Sequence, residues 1–239
     1  MSRSVSDLFE KARSALEREG RRLENLAQIA SEGPAVFDHD GFEAIGRALS
    51  YVVMGGVLED LMRELPAALT ADIASLRLER RHLPISFLVA TEAGTFRKCG
   101  TDTINSLVAR ADLVRVVLTH SNDPRPVPDF GELLNLADGS TIGEKNFVAL
   151  WLLLGLDGDW MNHPNDRLLL REIKEKRNDV AHWQEDPVEI GRKKKPSDLI
   201  AMVDRLVALL DHLNLHIVYW FEQMNGSTPV ASVSRGQQQ

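Results

Sequence analysis

Cysteine is nearly missing from this chain: Cys99 stands alone among 239 residues. One thiol excludes an intramolecular disulfide framework and any zinc site built from several cysteines, and a reducing, cytoplasmic setting is expected. An excess of positive charge is missing too. The formal net charge is −7, which excludes a general nucleic-acid binder that works through its overall field, so RNA or DNA chemistry would need a local site. The longest apolar run, FVALWLLLGL at 147–156, is too short to span a bilayer and reads as a buried helix. No signal peptide and no membrane partner are expected. A glycine-rich phosphate loop, a G-x-S-x-G elbow and internal repeats are all lacking. What is there is 44% hydrophobic, ordinary for a globular protein and long enough for one large or two small cores.

The apolar spacing is mostly helical. Leu8, Ala12, Leu16, Leu23 and Ala27 lie among many charges, and the run from Glu17 to Arg22 interrupts them. That pattern predicts an exposed amphipathic helix over 1–36, separate from a domain over 37–225, so a chain starting near Phe37 is expected to stay soluble. Residues 42–65 are apolar nearly all round, as for a helix surrounded by others, with Pro66 as the break. Another helix follows at 70–81, and ISFLVAT in the segment 82–96 is compatible with a short strand. Residues 101–119 read as a helix begun by Thr101 or Asp102, then a loop with three prolines. Thr141-x-x-Glu144 has the form of a capping box ahead of the apolar run. After a turn at 156–166 comes a charged helix, 167–185, and then the basic loop RKKKP at 192–196. In the last helix Leu199, Val203, Leu206, Leu210, Leu213, Ile217 and Trp220 form one seam. The tail, 226–239, is polar and expected to be flexible. The fold class is therefore all-α, an up-and-down helical bundle with an extra N-terminal helix and a small irregular or strand insertion.

Within the charged helix, RNDVAH (177–182) joins an arginine to a histidine. A guanidinium can hold a phosphate through two parallel hydrogen bonds and offset charge developing on it. A histidine can exchange protons with a ribose hydroxyl or a leaving oxygen at neutral pH. RNA brings its own nucleophile, the 2′-OH, so this chemistry requires no metal. Spacing alone is weak, since roughly two such pairs arise by chance in a chain of this composition. Four are present: Arg77/His82, Arg115/His120, Arg177/His182 and Arg205/His212. Only Arg177 is followed by a second hydrogen-bonding residue, Asn178, and only His182 follows a small Ala181. On a straight helix Asn178 and His182 share a face, whereas Arg177 and His182 diverge by about 140°. Acting on one phosphate would then require a distorted helix or a second subunit. The bland alternative is that Arg177 and Asn178 cap or bridge neighbouring helices and His182 is a surface residue.

The order of parts resembles the HEPN superfamily (higher eukaryotes and prokaryotes nucleotide-binding), and most of all its single-domain ribonuclease branches. RNDVAH matches that family's R-x4–6-H motif, YVVMGGVLEDLMREL (51–65) is similar to its first core helix, and a long helix closes the bundle. The resemblance implies a helical bundle of HEPN type, a homodimer pairing two motifs in one cleft, and metal-independent RNA cleavage leaving a 2′,3′-cyclic phosphate. It also implies a toxin or antiviral-defence setting, with an antitoxin or sensor protein as a further partner. By the same resemblance Arg177 polarises the scissile phosphate, His182 is the acid/base, and Asn178 orients the pair or contacts the phosphate. Glu59 and Asp60 on the early helix are supporting candidates. Two features depart from the family: Gln184 stands where one antitoxin-regulated branch has tyrosine, and 66–140 is longer than a minimal bundle needs.

For RNA, Lys174 and the run Arg192, Lys193, Lys194 and Lys195 are the candidate backbone contacts, although such a run is usually a solvated loop. No cofactor and no metal are expected. His212 and His216 have metal-ligand spacing but no Glu or Cys partner, and helix packing explains them better. Asp157 and Asp159 lack the rest of a calcium loop. His39, between two aspartates, is expected to cap the helix near Phe42. The competing functional reading is a catalytically silent helical module that binds a partner protein or nucleotide.

Overall fold

The computed structural model describes residues 4–32, 41–100, 103–131 and 134–226. Nine α-helices occur among them: α1 (Ser4–Glu32), α2 (Phe42–Ser75), α3 (Leu88–Thr91), α4 (Ala93–Lys98), α5 (Ile104–Thr119), α6 (Glu144–Leu154), α7 (Asp166–Ala181), α8 (Pro187–Arg192) and α9 (Pro196–Gly226). Pairing between extended segments is confined, among the described residues, to one isolated bridge from Glu79 to Pro126. The chain is all-α. No helix of the described residues is long and apolar enough to cross a membrane.

The central element is α2, 34 residues or about 51 Å long. It is packed by α1 and α9 and by α7 and α8, while part of its apolar surface, Phe42, Ile45, Leu49 and Val53, stays exposed. Met54, Leu58, Met62, Leu65 and Leu69 are fully buried. Pro66 does not end this helix: it sits inside α2, itself buried. An interior proline costs about 3 kcal/mol. Burial of the flanking leucines, each contributing roughly 1.5–3 kcal/mol, outweighs that cost.

The amphipathic N-terminal helix exists, but it is not an exposed appendage. Val5, Leu8, Phe9, Ala12, Leu16 and Leu23 all belong to the main core, with Leu16 and Leu23 completely buried. The charged run that suggested exposure is part of the interface. Glu19 is buried and takes two bonds from Arg22, whose Nη2 also donates to the Gly46 carbonyl and the Ser50 hydroxyl of α2. At the helix start the buried Asp72 carboxylate accepts the backbone N–H groups of Ser4 and Val5, at 2.8 and 3.0 Å. Those donors have no partner inside the helix, and a carboxylate also suits the positive end of the helix dipole.

Three smaller expectations change. ISFLVAT forms a 3-10 turn at Ile85–Phe87 and then α3, not a strand. Thr103 caps α5, its hydroxyl accepting from Ser106 N at 3.3 Å, while Thr101 and Asp102 lie outside the described residues. The capping box at Thr141 does not form. Gly143 precedes α6, its N–H is taken by Asn146 Oδ1, and Thr141 turns elsewhere. The cap at His39 and the tail beyond Gly226 lie outside the described residues.

Removing residues 1–36 would uncover the leucine and methionine faces of α2 and α9. Such a chain is expected to aggregate or to melt without cooperativity, as followed by circular dichroism. A soluble truncated chain with a sharp thermal transition would show that α2–α9 hold a core without α1.

Candidate functional site

Helix α7 lies against α2 because its buried Leu169, Leu170, Ile173 and Val180 recur at helical spacing and form one apolar face. Gly55 of α2 lies beside Arg177. A Cβ placed there would stand 2.8 Å from Cγ of Arg177, so the arginine stem fills the notch a side chain would occupy. From that notch the guanidinium reaches three groups. Nη2 donates to Glu59 Oε2 at 3.0 Å, and Nη1 donates at 3.3 Å each to Thr141 Oγ1 and Asn178 Oδ1. Thr141 Oγ1 donates to Asn178 Oδ1 at 2.6 Å, which joins the approach to α6 to the motif. The Arg177–Glu59 pair is about a quarter exposed, 24% and 26%. It is neither a screened surface pair nor a dry one.

His182 closes the helical ladder. It is the C-terminal capping residue of α7, at φ −107° and ψ 10°, and its backbone N–H still bonds the Asn178 carbonyl. The ring is exposed, with no side-chain hydrogen bond among the described residues. The helix ends in a Schellman motif: the Gln184 N–H reaches the Asp179 carbonyl and the Trp183 N–H reaches that of Val180. This motif requires a left-handed residue, usually glycine, and here the residue is Trp183 at φ 52°. For a side chain that conformation costs roughly 1–2 kcal/mol. Trp183 is also 79% exposed.

The structure separates the four Arg–His pairs. His82 Nδ1 accepts the Glu79 N–H in a local cap. His120 is buried, with Nε2 on the Leu83 carbonyl. His212 contacts the Asp159 carbonyl and stacks on Trp151, and Arg205 is bound to the buried Asp166. His182 alone is left out of such packing. His216 packs between Trp151 and His212, and burial followed by the neighbouring His212 pushes its pKa down. Among the described residues no group of three or more His, Cys, Asp or Glu side chains could hold a metal ion.

Of the supporting candidates, Glu59 meets the motif. Asp60 does not: it is exposed and pairs with Arg63 at 2.9 Å. The basic loop is largely tied back to acids. Lys194 bonds Glu172 at 2.7 Å, Lys193 bonds Glu185, and Arg192 lies 3.4 Å from Glu189. Glu185 also holds Lys176, and these two lysines keep its carboxyl below its usual range. Glu172 accepts the Tyr51 hydroxyl, whose pKa is raised first by burial and then by that bond. Lys195 is exposed, its backbone N–H donating to Asp198. Lys174 is exposed beside Gly143. Sequence reasoning missed Thr141 and Gly55. The first was disguised as a helix cap, and the second carried no sign beyond being one of two adjacent glycines, Gly55-Gly56, in a helix.

Those two glycines give a paired test. Gly56 faces open space, so Gly56→Ala should gain up to about 1 kcal/mol from helix propensity. Gly55→Ala must displace the root of Arg177 and should lose about 1–3 kcal/mol. Thermal melts of the two variants check this, and equal stability would mean that the notch is not required.

No family model matches the chain, nor does any curated protein or solved structure.

Proposed function

We propose that the chain is a metal-independent endoribonuclease of HEPN type, acting in a toxin or antiviral-defence setting. One observation carries the reading: among the four Arg–His pairs, only 177/182 combines a positioned guanidinium with an exposed histidine free of packing duties. The resemblance of RNDVAH to the family motif supports the same residues. In the reaction a ribose 2′-oxygen attacks the adjacent phosphorus as its proton passes to a base. The bond from phosphorus to O5′ breaks, and O5′ takes up a proton. The products are a 2′,3′-cyclic phosphate and a 5′-hydroxyl. His182 moves the proton. Arg177 offsets charge on the non-bridging oxygens, because three of its bonds go to Glu59, Thr141 and Asn178 and two of its five N–H donors remain. Asn178 and Thr141 hold the guanidinium in place.

A homodimer fits this reading. Along α2 the exposed residues Phe42, Ile45, Leu49 and Val53 form an apolar stripe, 37–70% accessible. The stripe lies on the helix that carries Gly55 and Glu59, roughly 130° round from the side that receives α7. A two-fold axis along it would pair two chains through α2, with the motif regions on the sides turned away from the contact, so the stripe supports a dimer and not by itself a shared cleft. Leu49→Glu should convert the dimer to monomer in sedimentation analysis and leave the fold unchanged. A wild-type chain that sediments as a monomer and cleaves at full rate would remove the dimer from the account.

The silent-module reading has one observation in its favour: the Arg177–Glu59 pair joins α7 to α2, as a purely structural ion pair would. Cleavage of mixed RNA in EDTA separates the two. His182→Ala is expected to lose about 10²–10⁴-fold in rate. Its melting temperature should be unchanged, since surface truncations cost little. Arg177→Lys should lose nearly as much activity, because an ammonium cannot form the planar fork. Full activity in folded His182→Ala would sink the assignment, and inactivity of the wild-type chain on all RNAs would favour the silent module.

A further inference from the structure

We infer that the Trp183 indole is a stacking platform for an unpaired nucleobase next to the scissile phosphate, which makes single-stranded RNA the substrate. The inference rests on the ribonuclease reading of Arg177 and His182. Three observations carry it. Trp183 is 79% exposed, while Trp151, Trp160 and Trp220 are only 4–7% exposed. Its backbone is held at φ 52°, in a Schellman turn that glycine would close without strain. It follows His182 directly, so a base on the indole face would sit one residue from the proton-transfer group.

A large apolar ring that is both strained and solvated is costly to the free chain, and such features gather at ligand sites. Its setting favours a base over a protein partner. The core of a protein interface is a cluster of apolar side chains, and Trp183 instead has the exposed polar His182, Gln184 and Asp186 about it. The apolar stripe on α2 is the surface suited to a second chain. Every base offers a π-face, so stacking on an aromatic ring tolerates sequence, but a paired base is already stacked and its face is covered. The amino groups of Lys176 and Lys193 converge on Glu185, two residues beyond the indole. Glu185 and Asp179 meet that charge, so what the segment offers a base is the indole face and not a basic patch.

The experiment uses the unmodified full chain and an RNA in which every 2′-OH is methylated, so that it binds without being cut. Trp183 dominates the solvent-exposed emission, which should be quenched on titration with the single strand and not with its duplex. Trp183→Phe should bind within a few-fold of wild type. Trp183→Gly should weaken binding about tenfold or more, yet melt at the same or a higher temperature, because glycine relieves the left-handed strain. A structural tryptophan would behave oppositely, with Trp183→Gly losing stability. Binding seen by anisotropy, with unchanged emission and no effect of Trp183→Gly, would overturn the stacking role and leave the ribonuclease reading standing. Absence of any RNA binding would overturn both. Emission that shifts on dilution without RNA would assign Trp183 to a chain–chain contact and overturn the proposal.

Discussion

The seating of Arg177 on Gly55 is the constraint on which the candidate site depends. With no side chain at that position, the arginine stem lies against the α2 backbone and its head reaches Glu59 one turn further on. Helix α8 uses the same device more severely. A Cβ at Gly191 would fall 1.8 Å from the Ala44 carbonyl oxygen, so α8 packs directly on α2 through bare backbone. Arg47 adds a bond from its Nε to the Gly191 carbonyl. Two glycines on facing helices thus fix where the segment from Arg177 to Arg192 runs, and the turn at His182 and Trp183 is its outermost part.

Helical spacing bears on how Arg177 and His182 can meet. Arg177 and His182 would diverge by about 140° if α7 continued past the motif. It stops at Ala181, and His182 occupies the cap at φ −107°, its backbone N–H still held by the Asn178 carbonyl. The strained Trp183 is what reverses the chain. The same residue presents an aromatic ring beside the histidine.

Much of the fold was legible in the residues, because buried faces impose a period that survives in sequence. The seam from Leu199 to Trp220, the apolar α2 and the amphipathic α1 all follow from it. Burial of charge was not legible. Glu19 looks like a solvated residue in sequence, yet it is buried beneath Arg22, which reaches the carbonyl of Gly46 and the hydroxyl of Ser50 across the interface. Pro66 misled for the complementary reason, since a local helix breaker yields when both flanks are in the core. At the site, RNDVAH and Glu59 could be singled out from residue type and order. Thr141 could not, because its bond to Asn178 joins residues 37 apart in sequence. The basic loop promised a free positive patch, yet its charge is met by Glu172, Glu185 and Glu189, acids whose proximity depends on the fold.

The central claim is that the RNA's own 2′-hydroxyl is the nucleophile and that Arg177 and His182 act on the phosphate beside it. The most direct measurement uses an oligonucleotide cut at a known linkage and its twin lacking the 2′-hydroxyl at that linkage alone, both in EDTA. The account predicts that the first is cleaved to a 2′,3′-cyclic phosphate and a 5′-hydroxyl and that the twin is left intact. Cleavage of the twin at an equal rate, or products ending in a 3′-hydroxyl, would contradict it.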